Sequence, residues 1–305
     1  VDSRRLRAFV TVADLGGISA AADRLGYAQS SLSAQLRSLE GELGATILIR
    51  TNAGVALTEA GQRLLPYARE ALDLDERMRR AVTSERPALR VGALETLADE
   101  WLPDIIAALD HGAGGPGTEA DVTLVVGSRR RLETDLAAGK LDLIFLFDNG
   151  VATTGPHALV GQDQVIAVAA PEHPLARMAS IGPDTLMDAS FLIAEPGCTT
   201  QMLVDRFGQD LTHRTPISMV TGSLSALRRM VAHGRGVALL PYLAAIRQLD
   251  SGELVRLNVH AGLAMLNIEA RWRTAPGSYI NLVEAVVRLA RRHQPPLPEP
   301  VAKSA

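Results

Sequence analysis

The sequence predicts a multidomain α/β protein: a small helical head ending in a β-hairpin, one long linker helix, and a two-lobed α/β domain. Three observations carry this. Leu32, Leu36, Leu39 and Leu43 fall at i, i+4, i+7 and i+11, on one stripe of a helix in the head. Residues 58–84 hold a single long helical pattern. From residue 89 onward, apolar strand-like runs alternate with helical segments, the signature of a sheet covered by helices. A length of 305 residues suits two or three domains, each burying its own core.

The head comes first. "RRLRAFVTVADLGG" carries Leu6, Phe9, Val10 and Ala13 at helical spacing and stops at Gly16-Gly17. "SAAADRLG" reads as a second short helix, with Ser19 as cap and Gly26 as terminator. The leucine-striped helix follows and ends at Gly44. "ATILIRTNAGVALT" gives two β-prone runs around Asn52-Ala53-Gly54, a hairpin pattern. Domain boundaries are expected at 1–58 for the head, 59–87 for the linker helix and 88–305 for the rest.

In the linker helix Thr58 is a good N-cap, and Leu64, Ala68, Ala71, Met78 and Val82 follow a heptad-like beat. Pro66 should kink it or weaken a turn. Its apolar stripe needs a cover: a second copy of the helix, or its own domain. "SERPALRVGAL" opens the α/β part, with a helix expected from about Leu97 to Leu109. "DVTLVVG", "RRRLETDLAAG" and "LDLIFLF" follow, then "VIAVAA", "SFLIAE", a helix from Thr199, "PISMV", a helix from Ser223 and "VALLP". "LNIEARWRT" and a helix from Tyr279 to Arg292 close it. Uninterrupted apolar strands predict parallel pairing. One lobe is expected at about 88–157 and 263–293, the other at about 158–262, with a ligand-sized cleft between. "HGAGGPGTEA", 111–120, reads as an unpacked loop and "PPLPEPVAKSA" as a disordered tail.

Composition excludes several classes. A net charge of −3 gives no global basic signature, so nucleic-acid binding must come from a local surface. Of 31 basic residues only Lys140 and Lys303 are lysines. A single cysteine, Cys198, rules out an internal disulfide and a thiolate zinc cluster. The seven histidines are scattered without metal-ligand spacing, and no G-x-S-x-G, Walker or G-x-G-x-x-G motif occurs. No cofactor, metal or catalytic residue is therefore expected. No apolar run approaches ~20 residues, and the chain opens on a charged amphipathic segment, so a cytoplasmic protein without membrane contact is expected.

Why should the 28–44 helix bury one face and keep the other small? A helix must seat deep in the major groove to reach base edges, and bulky residues would hold it off. Ser30, Ser33 and Ala34 permit close approach. Gln29 can pair with adenine, and Arg37 can reach a phosphate or guanine. Arg50 and Thr51 fit a wing touching the backbone. A small helical interaction module is the alternative on this evidence alone.

Residues 3–65 resemble the winged helix-turn-helix of LysR-type transcriptional regulators. The resemblance rests on Leu6 and Phe9; Ser19-Ala20-Ala21-Ala22 with Leu25; Gln29-Ser30-Ser31-Leu32-Ser33; Gln35-Leu36; Leu39-Glu40; Leu43-Gly44; Arg50; and Leu57-Thr58-Glu59-Ala60-Gly61. It continues through "LAAGKLDLIF" (136–145), "PEHPLA" (171–176), "EPGC" (195–198) and "LRRMVAHGRGVALLPY" (227–242). Ile49 stands where the family usually has Phe, and Gln201 where many members carry arginine. The resemblance implies a periplasmic-binding-protein-like effector domain and a regulator that binds double-stranded promoter DNA as a dimer or tetramer. It adds Ser31 to the DNA-facing set and admits RNA polymerase as a further partner.

By the family pattern, the effector cleft is lined by Glu95, Thr96, Leu97, Ser128, Cys198, Thr199, Thr200, Thr221 and Ser223. Ser128, Thr199 and Ser223 are equally ordinary helix caps. Glu95 would repel a simple acid, so the expected small-molecule effector carries a carboxylate and an amine or other donor. The alternative is a Glu95 that merely favours a helix amino end. Peroxide-sensing relatives use a cysteine in this lobe, but here no second cysteine exists to resolve a sulfenic acid. The rival classes are a ligand-independent regulator of this fold and a solute-binding or enzymatic α/β protein.

Overall fold

The computed structural model describes residues 1–51, 54–83, 86–148, 153–194, 217–260, 263–273 and 278–298. The chain divides into two compact units. One comprises residues 1–91, 120–123 and 130–143; the other comprises 92–119, 124–129 and 144–305.

In the first unit, α1 (Ser3–Leu15), α2 (Ile18–Leu25) and α3 (Gln29–Leu43) pack around Leu6, Phe9, Val12, Ala21, Ala22, Leu32, Leu36 and Leu39. Each helix ends at a glycine in the left-handed region, Gly16, Gly26 and Gly44. Two expectations are corrected. Leu43 is exposed, because the helix terminates beside it and leaves nothing to cover the last turn of the stripe. Ser19 does not cap α2; the helix starts one residue earlier, with extended Gly17 as N-cap.

The antiparallel hairpin β1 (Leu48–Thr51) and β2 (Gly54–Leu57) follows, with Leu48 opposite Leu57 and Arg50 opposite Val55. Then α4 (Glu59–Thr83) runs unbroken through Pro66. Thr58 caps it as expected, its hydroxyl oxygen accepting from the Gly61 amide at 3.0 Å while donating to the Thr46 carbonyl at 2.7 Å. The expected stripe splits into two faces. Leu64, Ala68 and Leu72 pack against the head's core, whereas Tyr67, Leu74, Met78 and Val82 stay exposed.

The α/β part consists of β3 (Ala88–Ala93), α5 (Glu95–Glu100), α6 (Leu102–Asp110), β4 (Asp121–Val126), α7 (Arg129–Ala137), β5 (Leu143–Phe147) and β6 (His157–Ala169). A 3₁₀ turn at Pro174–Arg177, α8 (Pro183–Met187), β7 (Phe191–Ile193) and β8 (Ile217–Val220) continue it. Among the described residues there follow α9 (Leu224–Ala232), β9 (Ala238–Pro241), α10 (Tyr242–Ser251), β10 (Val255–Arg256), β11 (Met265–Trp272) and α11 (Ser278–Arg292). The main sheet has the order β10-β6-β11-β5-β3-β4, with β9 also on β6.

Pairing corrects the parallel expectation: β6 is antiparallel to β11, β9 and β10, while β7 and β8 are parallel. The reason lies in the length of β6. Its residues 157–164 pair with β11 and its residues 165–168 with β9, so one strand serves two halves. The second half has its own core, in which Ile166, Val168 and Leu240 meet Leu224, Leu227, Val231, Ala244 and Ala245.

Three smaller expectations also change. The helix expected over 97–109 breaks at Trp101 (φ −134°, ψ −48°), because Pro103 in the first turn of α6 cannot continue an α-helix. The 111–120 loop is packed: Thr118 is buried and its hydroxyl donates to the Gly115 carbonyl at 2.7 Å. The tail is anchored at its start, where Gln294 Nε2 donates to the Val160 carbonyl at 2.9 Å and Pro295 is buried. Residues 299–305 of that tail lie outside the described residues.

Candidate DNA-binding face and effector site

The turn between α2 and α3 is tight. After Gly26 the Tyr27 amide donates back to the Ala22 carbonyl at 2.9 Å, and α3 begins two residues later. Its N-cap, Ala28, offers no side-chain acceptor, so no side chain competes for the first-turn amides. With Leu32, Leu36 and Leu39 turned inward, Gln29, Ser30, Ser31, Ala34 and Arg37 are exposed and Ser33 is half-buried. The expected groove-facing set of α3 thus shares one helix, largely open to solvent.

The hairpin is held against α3 and against the end of α1. Glu40 Oε1 accepts from the amides of Ile47 (2.9 Å) and Leu48 (3.3 Å). The Val55 amide donates to the Gly16 carbonyl at 2.8 Å. Gly54 (φ +125°) sits so close that a Cβ would collide with that same carbonyl oxygen, so only glycine fits. Arg50 and Thr51 are on β1, and Asn52 and Ala53 of the turn lie outside the described residues. The role of Glu40 was missed. Glu40 ties the hairpin down across seven and eight positions of sequence, and no local spacing marks it for that.

In the second unit, the turn after β3 places Glu95 at the start of α5. Glu95 Oε2 accepts from the Leu224 amide at 3.4 Å, the first residue of α9. Ser223 caps the same helix, its Oγ accepting from the Ala226 amide at 3.4 Å. Thr221 Oγ1 donates to the Ser223 carbonyl at 2.8 Å. Glu95, Thr221 and Ser223 are therefore brought together. Thr96 and Leu97 are buried, and Ser128 is exposed at the end of β4. Cys198, Thr199 and Thr200 lie outside the described residues.

Sequence reasoning missed two further groups here. Glu100, at the far end of α5, pairs with Arg247 (2.8 Å) and Arg228 (3.7 Å), and Arg228 also donates to the Ala244 carbonyl at 2.9 Å. Asp163 is fully buried on β6 and accepts from the amides of Gln164 (2.7 Å) and Leu243 (3.2 Å). Burial pushes its carboxyl up to about 6, against the opposing pull of these amides. Among the described residues no group of three or more metal-ligating side chains occurs.

Residues 3–62 match the bacterial regulatory helix-turn-helix protein model of the lysR family, and residues 83–294 match the LysR substrate binding domain. The chain belongs to the LysR family. It is a LysR-type transcriptional regulator with a helix-turn-helix DNA-binding domain and a substrate-binding domain. It is 27% identical over 288 residues to the HTH-type transcriptional regulator YwqM of Bacillus subtilis, covering 90% of this chain and 96% of that protein. Its fold is that of full-length CbnR in complex with its target DNA (TM-score 0.65, 20% identity, 96% of this chain and 100% of that one). Full-length LysG of Corynebacterium glutamicum with bound effector arginine gives a TM-score of 0.63 at 20% identity, covering 97% and 100%. No helix among the described residues is long and apolar enough to cross a membrane.

Proposed function

We propose that this LysR regulator reads promoter DNA through the open face of α3, with Gln29 on a base edge, Ser30, Ser31, Ser33 and Ala34 allowing close approach, and Arg37 on a phosphate or guanine. Arg50 and Thr51 of the hairpin touch the backbone. The observation that carries this is the combination on α3 of an inward leucine stripe, a small polar outer face and an amino end without a side-chain cap. The expected boundaries, 1–58, 59–87 and 88–305, define head, linker and effector domain, and the exposed side of α4 pairs with a second copy.

An effector held by the Glu95, Ser128, Thr221 and Ser223 region, together with Cys198, Thr199 and Thr200, sets the regulator's state. Glu95 favours a ligand bearing both an amine and a carboxylate; in LysG of C. glutamicum the bound effector, arginine, is of that class. The Glu95–Leu224 hydrogen bond favours a second reading, in which Glu95 serves only as a carboxylate at the amino end of α9.

The DNA reading is tested on sites recovered by selection from random-sequence duplexes. Gln29→Ala should reduce discrimination between selected and mismatched sites by about 1–3 kcal/mol. Arg50→Ala should weaken all sites alike and reduce the slope of log K against log salt by about one unit. Equal loss of discrimination in both variants would overturn the division into base and backbone contacts.

A further inference from the structure

Arg90 occupies an unusual position. It lies on β3, in the strand that follows α4, and its guanidinium meets two carboxylates. Nη2 is 2.6 Å from Asp73 Oδ1, on α4, and 2.7 Å from Asp142 Oδ1, just before β5. Nε donates to Asp142 Oδ2 at 3.0 Å, and the Arg90 amide donates to the same oxygen at 2.9 Å. The Asp142 amide in turn donates to the Arg90 carbonyl at 2.9 Å. Both carboxylates are buried, at 7% and 1% side-chain exposure, so solvent screens these contacts little. Arg90 thus holds Asp142 through side chain and backbone, and its Nη2 is shared between Asp142 and Asp73 of the helix. A lysine, a point charge without the fork, could not serve both.

The strand that carries Arg90 leads directly to Glu95, five residues on, a span of about 17 Å in extended chain. We propose that Arg90 is a latch that makes α4 and β3 one mechanical element, so that displacement of the turn bearing Glu95 is delivered to the linker helix. The latch stands on its own geometry; only its use by an effector rests on the effector reading above.

Coupling is reciprocal, so a change made on α4 must be felt at the far end of β3. The test is amide hydrogen exchange of the full chain, without ligand, comparing the wild type with D73N. The isosteric change removes the charge that Arg90 holds on α4. The expected result is exchange at least tenfold faster in peptides covering 70–76 and 88–93, and several-fold faster over 94–98, with α1 unchanged. A change confined to 70–76 would overturn the latch. A response that reaches 88–93 but stops short of 94–98 would overturn the relay to Glu95. Should D73N lose protection in α1 as well, R90K carries the test with the same outcomes, since it retains the cation and loses the fork.

Discussion

Asp163 carries a clear pH signature. Its carboxyl is buried, and its folded value of about 6 lies above the ordinary 3.8. The folded chain therefore binds a proton that the unfolded chain has already released between these values. Stability from this group is fully present below about pH 4 and is lost as pH rises through about 6. The gap between 3.8 and about 6 corresponds to roughly 3 kcal/mol. Asp163→Asn removes the titration at the expense of one amide contact. Urea unfolding of both proteins from pH 4 to 7 should show the wild type losing about 3 kcal/mol relative to the variant across that window. A constant difference would mean that the carboxyl titrates normally.

At the scale of the element, α4 shows what sequence periodicity resolves and what it blurs. The helix, its Thr58 cap and its apolar character were legible. The heptad beat, however, mixed Leu64 and Ala68, which cover the head's core, with Met78 and Val82, which do not. The two faces lie about a quarter turn apart, within the width of one apolar stripe, so spacing alone cannot separate them. The outer face is Tyr67, Ala71, Leu74, Met78 and Val82, at intervals of four, three, four and four, a spacing that supports the proposed pairing with a second copy. Leu74→Glu with Met78→Glu should convert the protein to a monomer in sedimentation and reduce affinity for a two-half-site DNA by at least tenfold. The α1 core, built on the other face, should remain intact by circular dichroism. A double variant that stays dimeric would place self-association elsewhere.

For the whole molecule, most of the expected helices and strands are present, because each carries its own stripe, cap or breaker, whereas α8, α10, β10 and residues 157–164 of β6 were not anticipated. The antiparallel joining of β6 to β9 and β11 did not follow, since a fully apolar strand looks the same whichever way its neighbour runs. The tertiary charge contacts were equally hidden. Glu100 with Arg228 and Arg247, Arg90 with Asp73 and Asp142, and Glu95 with the Leu224 amide join residues 17 to 147 positions apart, and no local spacing announces them. Of the proposed effector residues, Glu95 and Ser223 converge only in the folded chain. That convergence makes the ligand test specific. A true effector at about 100 times its Kd adds ~2.7 kcal/mol to the folded state, a shift of about 5–11 °C for a domain of 150–250 residues. Melting the full chain against amino acids, amines, aromatic acids and sugar acids should single out an amino-carboxylate over the matching plain acid. Glu95→Gln should then reduce affinity for that ligand by roughly 2–5 kcal/mol, the scale for breaking a desolvated charge pair. If the ligand binds Glu95→Gln as tightly as the wild type, Glu95 is a cap for α9 and the amine is recognised elsewhere. If the plain acid shifts the melt equally, the carboxylate alone is read and Glu95 does not select the effector.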